Sequence, residues 1–374
     1  MSQKMKPQST GEQAEQSSVL PGERGFSRET HEFLASFAAT CSLEKILHYL
    51  HGIRPQRVLL VGETIIDEYH YCETMGKSSK EPILAVKHLS VEKFAGGVVA
   101  AANQAADFVD HVGLLSFLGT LNSHEEFIKQ RLQPHIQATL LQVPDIPTTI
   151  KRRFLETYPL QKLFEVYEIN EEIDAHSSGL LYAQLESMLP SYDVVIVTDY
   201  GHGVVTPEIV NLLCSKSRFL AVNTQTNAAN QGFNTVSKYP RADYLCISEK
   251  ELRLDARSRT KDLRVIVTDV AERLACSRIL VTRGQQGCLC YARDEGFCAI
   301  PAFTQRIVDR VGAGDAVLAV TSPCVAQQVP MNVVGFIGNS VGALAVETVG
   351  HRGIVSCPAL CQHMTSLLQK ESGE

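Results

Sequence analysis

Short apolar runs recur through this chain with helical patterns between them, and no other feature narrows the possible fold as much. The first is RVLLVG, Arg57 to Gly62. A run that is apolar at every position has no polar face to give to water, so it reads as a strand buried on both sides of a parallel sheet. HVGLLSFLG (111–119), DVVIVTDYG (193–201), RFLAVN (218–223), DYLCIS (243–248) and RILVTRG (278–284) continue the series. Helical spacing occupies 97–109, 174–189, 206–217 and 262–276, and the last third adds 313–327, 332–349 and 358–370. Strands alternating with helices predict an α/β fold, a mainly parallel sheet with helices on both faces.

Two regions break this rhythm. EPILAVKHLSVEKF (81–94) and the pair TTIKRRFLE and KLFEVYEI (148–156, 162–169) alternate like antiparallel strands. They predict a small β-lid, over about 68–94 and 148–170. Open α/β sheets bind ligands at the carboxyl ends of their strands, so a lid there would close over a substrate. Residues 1–26 are polar and read as a disordered tail. Apolar positions at helical spacing from Phe33 to Leu50 predict one or two helices, an N-terminal extension over 27–54, before a main domain over 55–372.

Composition excludes several classes. Hydrophobic residues make up 44% and charged residues 20%, and the net charge is −6, a balance that argues against a nucleic-acid partner. No run approaches 18 apolar residues, and the N-terminus has no apolar signal core, so neither a membrane span nor secretion is expected. The 11 cysteines include no CxxC pair. They read as small buried hydrophobes of a cytoplasmic protein, with Cys288 and Cys290 on one strand face. The GKS at Gly76–Ser78 is not a phosphate loop, because Tyr71 stands where such a loop needs its first glycine.

Three stretches carry candidate chemistry. In DRVGAGDAVLA (309–319), Gly312 and Gly314 permit a turn that strings amides around an anion, and the apolar run after it opens a helix with positive potential at its start. Asp315 beside such a pocket suits a general base for an attacking hydroxyl. A glycine turn with Asp315 capping the helix accounts for the motif equally well. In FAGGVVAAANQAA (94–106), Gly96 and Gly97 let the backbone approach a ligand, or let helix and strand pack closely. In GETIIDEY, Asp67 follows the first strand, where a carboxylate can accept bonds from vicinal hydroxyls or cap a turn.

With TDYGHG and VTRGQQG, these motifs follow in an order that resembles the ribokinase-like carbohydrate kinases of the phosphofructokinase-B type, over about residues 55–360. The lid segments look closest to the heptose 7-phosphate kinase domain of bifunctional ADP-heptose synthesis proteins. The resemblance implies ATP, Mg2+ and phosphoryl transfer to a sugar or sugar-phosphate hydroxyl. It implies Asp315 as base, with Gly312, Ala313 and Gly314 as its anion hole. It implies sugar contacts at Asp67, Gly96 and Gly97, and a substrate phosphate held by Lys151 and Arg153, whose other reading is a solvated strand face. Nucleotide contacts are implied at Glu251, Thr282, Gly284, Gly287 and Asn339, while no residue is assigned to a metal directly. Relatives of this type often pair as dimers through the lid.

Departures from the resembled pattern fall at Ala100, where those kinases have asparagine, at His202 for a lysine, and at Ser248 for an asparagine. They leave GAGD intact. A second reading is therefore a sugar- or nucleotide-binding regulator of the same fold. A dinucleotide-binding dehydrogenase is disfavoured, since GETIID after the first strand is not GxGxxG.

Overall fold

The computed structural model describes residues 26–369 apart from 171, 229 and 305, so the expected polar tail lies, except for Phe26, outside the described residues. The chain opens with helices α1 (Arg28–Thr40) and α2 (Leu43–Gly52). It continues through β1 (Arg57–Gly62), β2 (Thr64–Lys77), β3 (Leu84–Gly97), α3 (Val98–Ala106), β4 (His111–Leu121), α4 (Glu125–Arg131), β5 (Ile136–Pro147), β6 (Thr149–Thr157) and β7 (Leu160–Glu168). Next come α5 (Ala175–Met188), β8 (Val194–Asp199), α6 (Pro207–Lys216), β9 (Leu220–Thr224), β10 (Tyr244–Ser248), α7 (Glu249–Asp255) and α8 (Leu263–Arg273). The last elements are β11 (Arg278–Thr282), β12 (Cys288–Ala292), β13 (Gly296–Ile300), α9 (Ala313–Ala326), α10 (Met331–Ala345) and α11 (Cys357–Gln369).

The main sheet has the order β13-β12-β11-β10-β9-β8-β1-β4-β5. From β11 to β5 every neighbouring pair is parallel, and β12 and β13 add an antiparallel edge. Burial on both faces explains the unbroken apolar runs. Val58 and Leu60 of β1 join one core with α3, α9 and α10, while Leu59 and Val61 join a second core with α5, α6 and α8. Cys288 and Cys290 lie together in the first core, as their alternation predicts. All 11 cysteines are free thiols.

The small sheet, ordered β3-β2-β6-β7, corrects the expected lid in two ways. Its strands reach from 64 to 97, so Asp67 sits inside β2 and not in a loop after β1. Its two antiparallel pairs are joined by a parallel pairing of β2 with β6, making the sheet mixed. The cause is visible in the burial: Thr64–Tyr69 are all buried where β2 leaves the core, so no alternation marks a new strand. The edge strand β5 also escapes the sequence pattern, because its exposed outer positions and Pro144 and Pro147 break up the apolar run.

The N-terminal helices are capped by Ser27 and Ser42, whose side chains accept from the amides of Thr30 and Lys45. Phe37 anchors the first of them. It is 4% exposed and stacks on Phe336 of α10, with ring centroids 4.5 Å apart. Phe37→Ala removes that packing and leaves a cavity, at an expected cost of about 3 kcal/mol. Urea denaturation of the variant against the parent chain measures it.

Candidate active site

The parallel strands deliver their following loops to one edge, and α9 starts there. Gly312 immediately before α9 has φ +78°, a left-handed conformation that glycine adopts without strain, and a β-carbon there would lie 2.2 Å from Cε1 of His351. Asp315 sits in the first turn of α9, 6% exposed. Gln225 Nε2 donates to its Oδ1 at 2.8 Å. The buried Tyr200 hydroxyl stands close to the same carboxylate. Burial pushes the Asp315 carboxyl up to about 6, although His351 and Tyr200 pull the other way.

On one side of this carboxylate lies a cavity of about 370 Å3. Glu251, Thr282, Gly284, Gly287 and Asn339, the expected nucleotide contacts, all line it together with Ala313 and Gly314. A β-carbon on Gly314 would meet nothing within 4 Å, so the turn faces open space there. Asn339 Nδ2 donates to the Pro301 carbonyl at 2.5 Å, which fixes its orientation in the wall. Glu251 is engaged by protein donors. Its Oε1 accepts from the Thr226 amide at 3.0 Å, and its Oε2 accepts from the Ser248 amide and hydroxyl at 3.2 and 2.5 Å. It closes a capping box at the start of α7, and burial raises its pKa. Ser248, the departure from asparagine, is the other half of that box. Among the described residues no group of three or more His, Cys, Asp or Glu side chains could hold a metal ion.

The expected sugar contacts cluster on the other side but are packed against each other. Asp67 is paired with Arg153 through Oδ1, and its Oδ2 lies 3.4 Å from His351 Nε2. Burial alone would raise this carboxyl; Arg153 and His351 reverse the sign and hold it below the usual range. A β-carbon on Gly96 would fall 2.0 Å from Asp67 Oδ2, so Gly96 is demanded by the carboxylate, and Gly97 follows it into α3. Arg153 also donates to Glu165 at 3.1 Å. The alternative of a solvated face does not hold, since Lys151 and Arg153 are both 7% exposed, and Arg153 is matched by carboxylates. Lys151 has no ion pair among the described residues. Its ammonium stands 5.6 Å from the ring centres of both Tyr167 and Tyr200, and burial lowers its pKa.

A second cavity, about 630 Å3, reaches Asp315 and Gly312 past Ala100, Arg131 and His351. Asn103, a turn beyond the double glycine, is spent on the 131–133 loop through bonds to Arg131 and Gln133. His202 is buried, with Nε2 3.0 Å from Asn227 Nδ2 and a pKa pushed down to about 3 by burial and Lys151.

Four further groups belong to this site that the sequence motifs did not single out. Glu63, inside the quoted GETIIDEY, accepts from the amides of Tyr200 and His202 at 3.0 and 3.1 Å, and burial plus the Asp199 charge raise it to about 7. Tyr200 lay inside the quoted TDYGHG. Gln225 and His351 carried no local signal.

The burial of Asp315 gives a stability test that needs no substrate. With a folded pKa near 6 against 3.8 for the ordinary aspartate, the folded chain holds this proton more tightly than the unfolded chain. The parent chain therefore loses stability as pH rises from about 4 to 6, by roughly 2–3 kcal/mol at most. Asp315→Asn is neutral throughout, so it is expected to match the parent below pH 4 and exceed it above pH 6. Thermal unfolding of both chains across that range measures the difference.

Comparison with known proteins agrees with this geometry. The model of the pfkB family carbohydrate kinases matches residues 55–356. Among curated proteins, the bifunctional protein HldE of Rhodopseudomonas palustris is 28% identical over 316 residues, covering 80% of this chain and 62% of that protein. HldE of Campylobacter jejuni is 24% identical over 312 residues, covering 82% and 64%. The chain thus spans a little under two thirds of these relatives' length. Among solved structures, Escherichia coli phosphofructokinase-2 in complex with potassium superimposes with a TM-score of 0.65 at 14% identity, covering 84% of this chain and 99% of that one. Arabidopsis thaliana ribokinase complexed with ribose and ATP gives 0.61 at 14% identity, covering 84% and 99%. These structural likenesses establish a ribokinase-like fold, and the family match over residues 55–356 makes this chain a member of the pfkB family of carbohydrate kinases.

Proposed function

We propose that this chain transfers the γ-phosphoryl group of MgATP to a hydroxyl of a sugar or sugar phosphate, with Asp315 as general base. The observation that carries the reading is a buried carboxylate, raised toward 6, in the first turn of α9 beside a cavity that gathers Thr282, Gly284 and Asn339. Adenosine would fill that cavity and the triphosphate would run toward Gly312, Ala313 and Gly314. The acceptor hydroxyl would give its proton to Asp315 as its oxygen bonds to the γ-phosphorus and the bond to ADP breaks. The 312–315 amides and the start of α9 would stabilise charge on the transferring group. Charge on the β- and γ-phosphates would be offset by the magnesium that the nucleotide carries. The donor set agrees with that arrangement, because among the described residues no cluster of His, Cys, Asp or Glu could hold the ion and Glu251 is committed to its capping box.

Acceptor chemistry is read from Lys151. A buried ammonium without a counter-ion favours an anionic acceptor, and a heptose 7-phosphate is the finer proposal, suggested by the HldE relatives. Sugar contacts at Asp67, Gly96 and Gly97, and a phosphate contact at Arg153, would require Asp67 and Arg153 to exchange their mutual pairing for the substrate. The small sheet would then act as a lid that excludes water. A cytoplasmic setting accords with the unpaired thiols and the need for MgATP.

Mass spectrometry of products from a phosphosugar panel that includes heptose 7-phosphate tests the reading. Activity is expected to fall as pH drops through about 6, because the base must be ionised. Asp315→Asn is expected to keep MgATP binding and lose turnover by about a thousandfold or more. Near-parental activity of this variant on the same acceptor would remove Asp315 from the role.

A second reading, a sugar- or nucleotide-binding regulator, is favoured by the closed Asp67–Arg153–His351 packing. MgATP stabilisation in thermal unfolding without ADP release across the panel would select it.

The lid is also the proposed dimer surface. Leu84, Leu89 and Val91 of β3 and Phe164 and Val166 of β7 are exposed on its two edge strands. Phe164→Asp is expected to shift a dimer toward monomer in light scattering coupled to size exclusion.

A further inference from the structure

Asp309, three residues before Gly312, has no part in the chemistry above, yet it is 6% exposed and fully engaged. Its Oδ1 accepts from Lys162 Nζ at 2.8 Å and from the Val311 amide at 3.3 Å. Its Oδ2 accepts from the Tyr69 hydroxyl at 2.5 Å and from the Gly350 amide at 3.0 Å. A carboxylate removed from water is stable only when its lone pairs are all matched, and these four donors do that. They come from four separate places. Tyr69 is on β2 and Lys162 on β7, so two belong to the small sheet. Val311 is the residue before Gly312. Gly350 precedes His351, whose ring fills the space beside Gly312 and approaches Asp67.

We propose that Asp309 is a positioning residue that locks the small sheet to the Gly312–Asp315 turn, with Tyr69 as the fixed bolt and Lys162 as the releasable one. Asp67 and Tyr69 lie two positions apart on β2 and so face the same way. Moving β2 displaces the Asp67 carboxylate and the Tyr69 hydroxyl together. Through Asp309 that motion reaches the Val311 amide, and through Gly350 it reaches the imidazole over Gly312. Tyr69 is wholly buried, edge-on to Phe94 with ring centroids 5.2 Å apart, whereas the Lys162 side chain is 36% exposed. The lysine is the bond that can open while the core beneath stays packed. The turn is then ordered for reaction only when the small sheet is seated. As a statement about the reaction this rests on the kinase reading; as a statement about coupled order it does not.

Hydrogen-exchange mass spectrometry of the whole chain without substrate tests the coupling. In Lys162→Met, exchange is expected to rise on the order of tenfold in peptides covering both 160–168 and 311–316, with β8 unchanged, since the opening is local. Lys162→Arg is expected to restore protection in both. Tyr69→Phe, which removes a single hydroxyl and keeps the ring, is expected to loosen 311–316 in the same way and serves if Lys162→Met unfolds the chain. Parental protection at 311–316 in Tyr69→Phe, or in a folded Lys162→Met whose 160–168 peptide has loosened, would overturn the lock. MgADP titrated calorimetrically into the same variants reads the consequence for the turn, with affinity expected to weaken about three- to tenfold. Loss of turnover in every chain, the parent included, would count against the kinase reading while leaving the exchange result to decide the lock.

Discussion

The site depends on how acidic side chains are kept at the carboxyl edge of a sheet whose two faces are sealed. Glu63, Asp67, Asp199, Asp309 and Asp315 are all buried there. Burying a carboxylate in its ionised form is costly unless donors replace the lost water. Four of the five are matched in full or nearly so. Asp199 takes Lys238 at 2.5 Å and the Tyr239 hydroxyl at 2.7 Å, Asp67 takes Arg153, Asp309 takes four donors, and Glu63 takes two amides. Asp315 has the single Gln225 amide among the described residues. Glu63 and Asp315 are the two that burial raises, and Asp315 is the one in the first turn of α9 beside the open cavity.

Environment therefore divides one residue type among different tasks. Asp67 is held ionised by Arg153 and His351, whereas Asp315 is raised because burial outweighs its partners. A pair of carboxyls pushed in opposite directions on either side of a reaction centre is the pattern expected when one binds and the other exchanges a proton. The Lys151 ammonium feels both charges, but among the described residues it makes no direct ion pair and is flanked by the Tyr167 and Tyr200 rings.

Legibility in the sequence follows the range of the interactions. The doubly buried strands could be read because each carries its own signal, an apolar run bounded by turn residues. The cavity residues Thr282, Gly284 and Asn339 could be named only through the family resemblance, and the structure brings them to one cavity. β2 could not be separated from β1, because every residue from Thr64 to Tyr69 is buried and the alternation that marks a strand is erased. Lys151 and Arg153 were legible as basic residues on alternate positions, but not as buried ones. Their burial comes from Tyr167, Tyr200 and Asp67, which neighbour them only after β6 pairs with β2 and β7 and the small sheet meets the loop after β8.

By itself the sequence determined the layered α/β architecture and the glycine turn that opens α9, since periodicity, turn residues and a helix start act within a few positions of the chain. Tertiary structure alone decided which charges meet. Arg153 reaches Asp67 across 86 positions, and Asp309 accepts from Tyr69 across 240. His351 comes to stand over Gly312 through the loop after α10. Charge pairing depends on distance in space and on the water excluded from it. Neither quantity exists until the two sheets have packed.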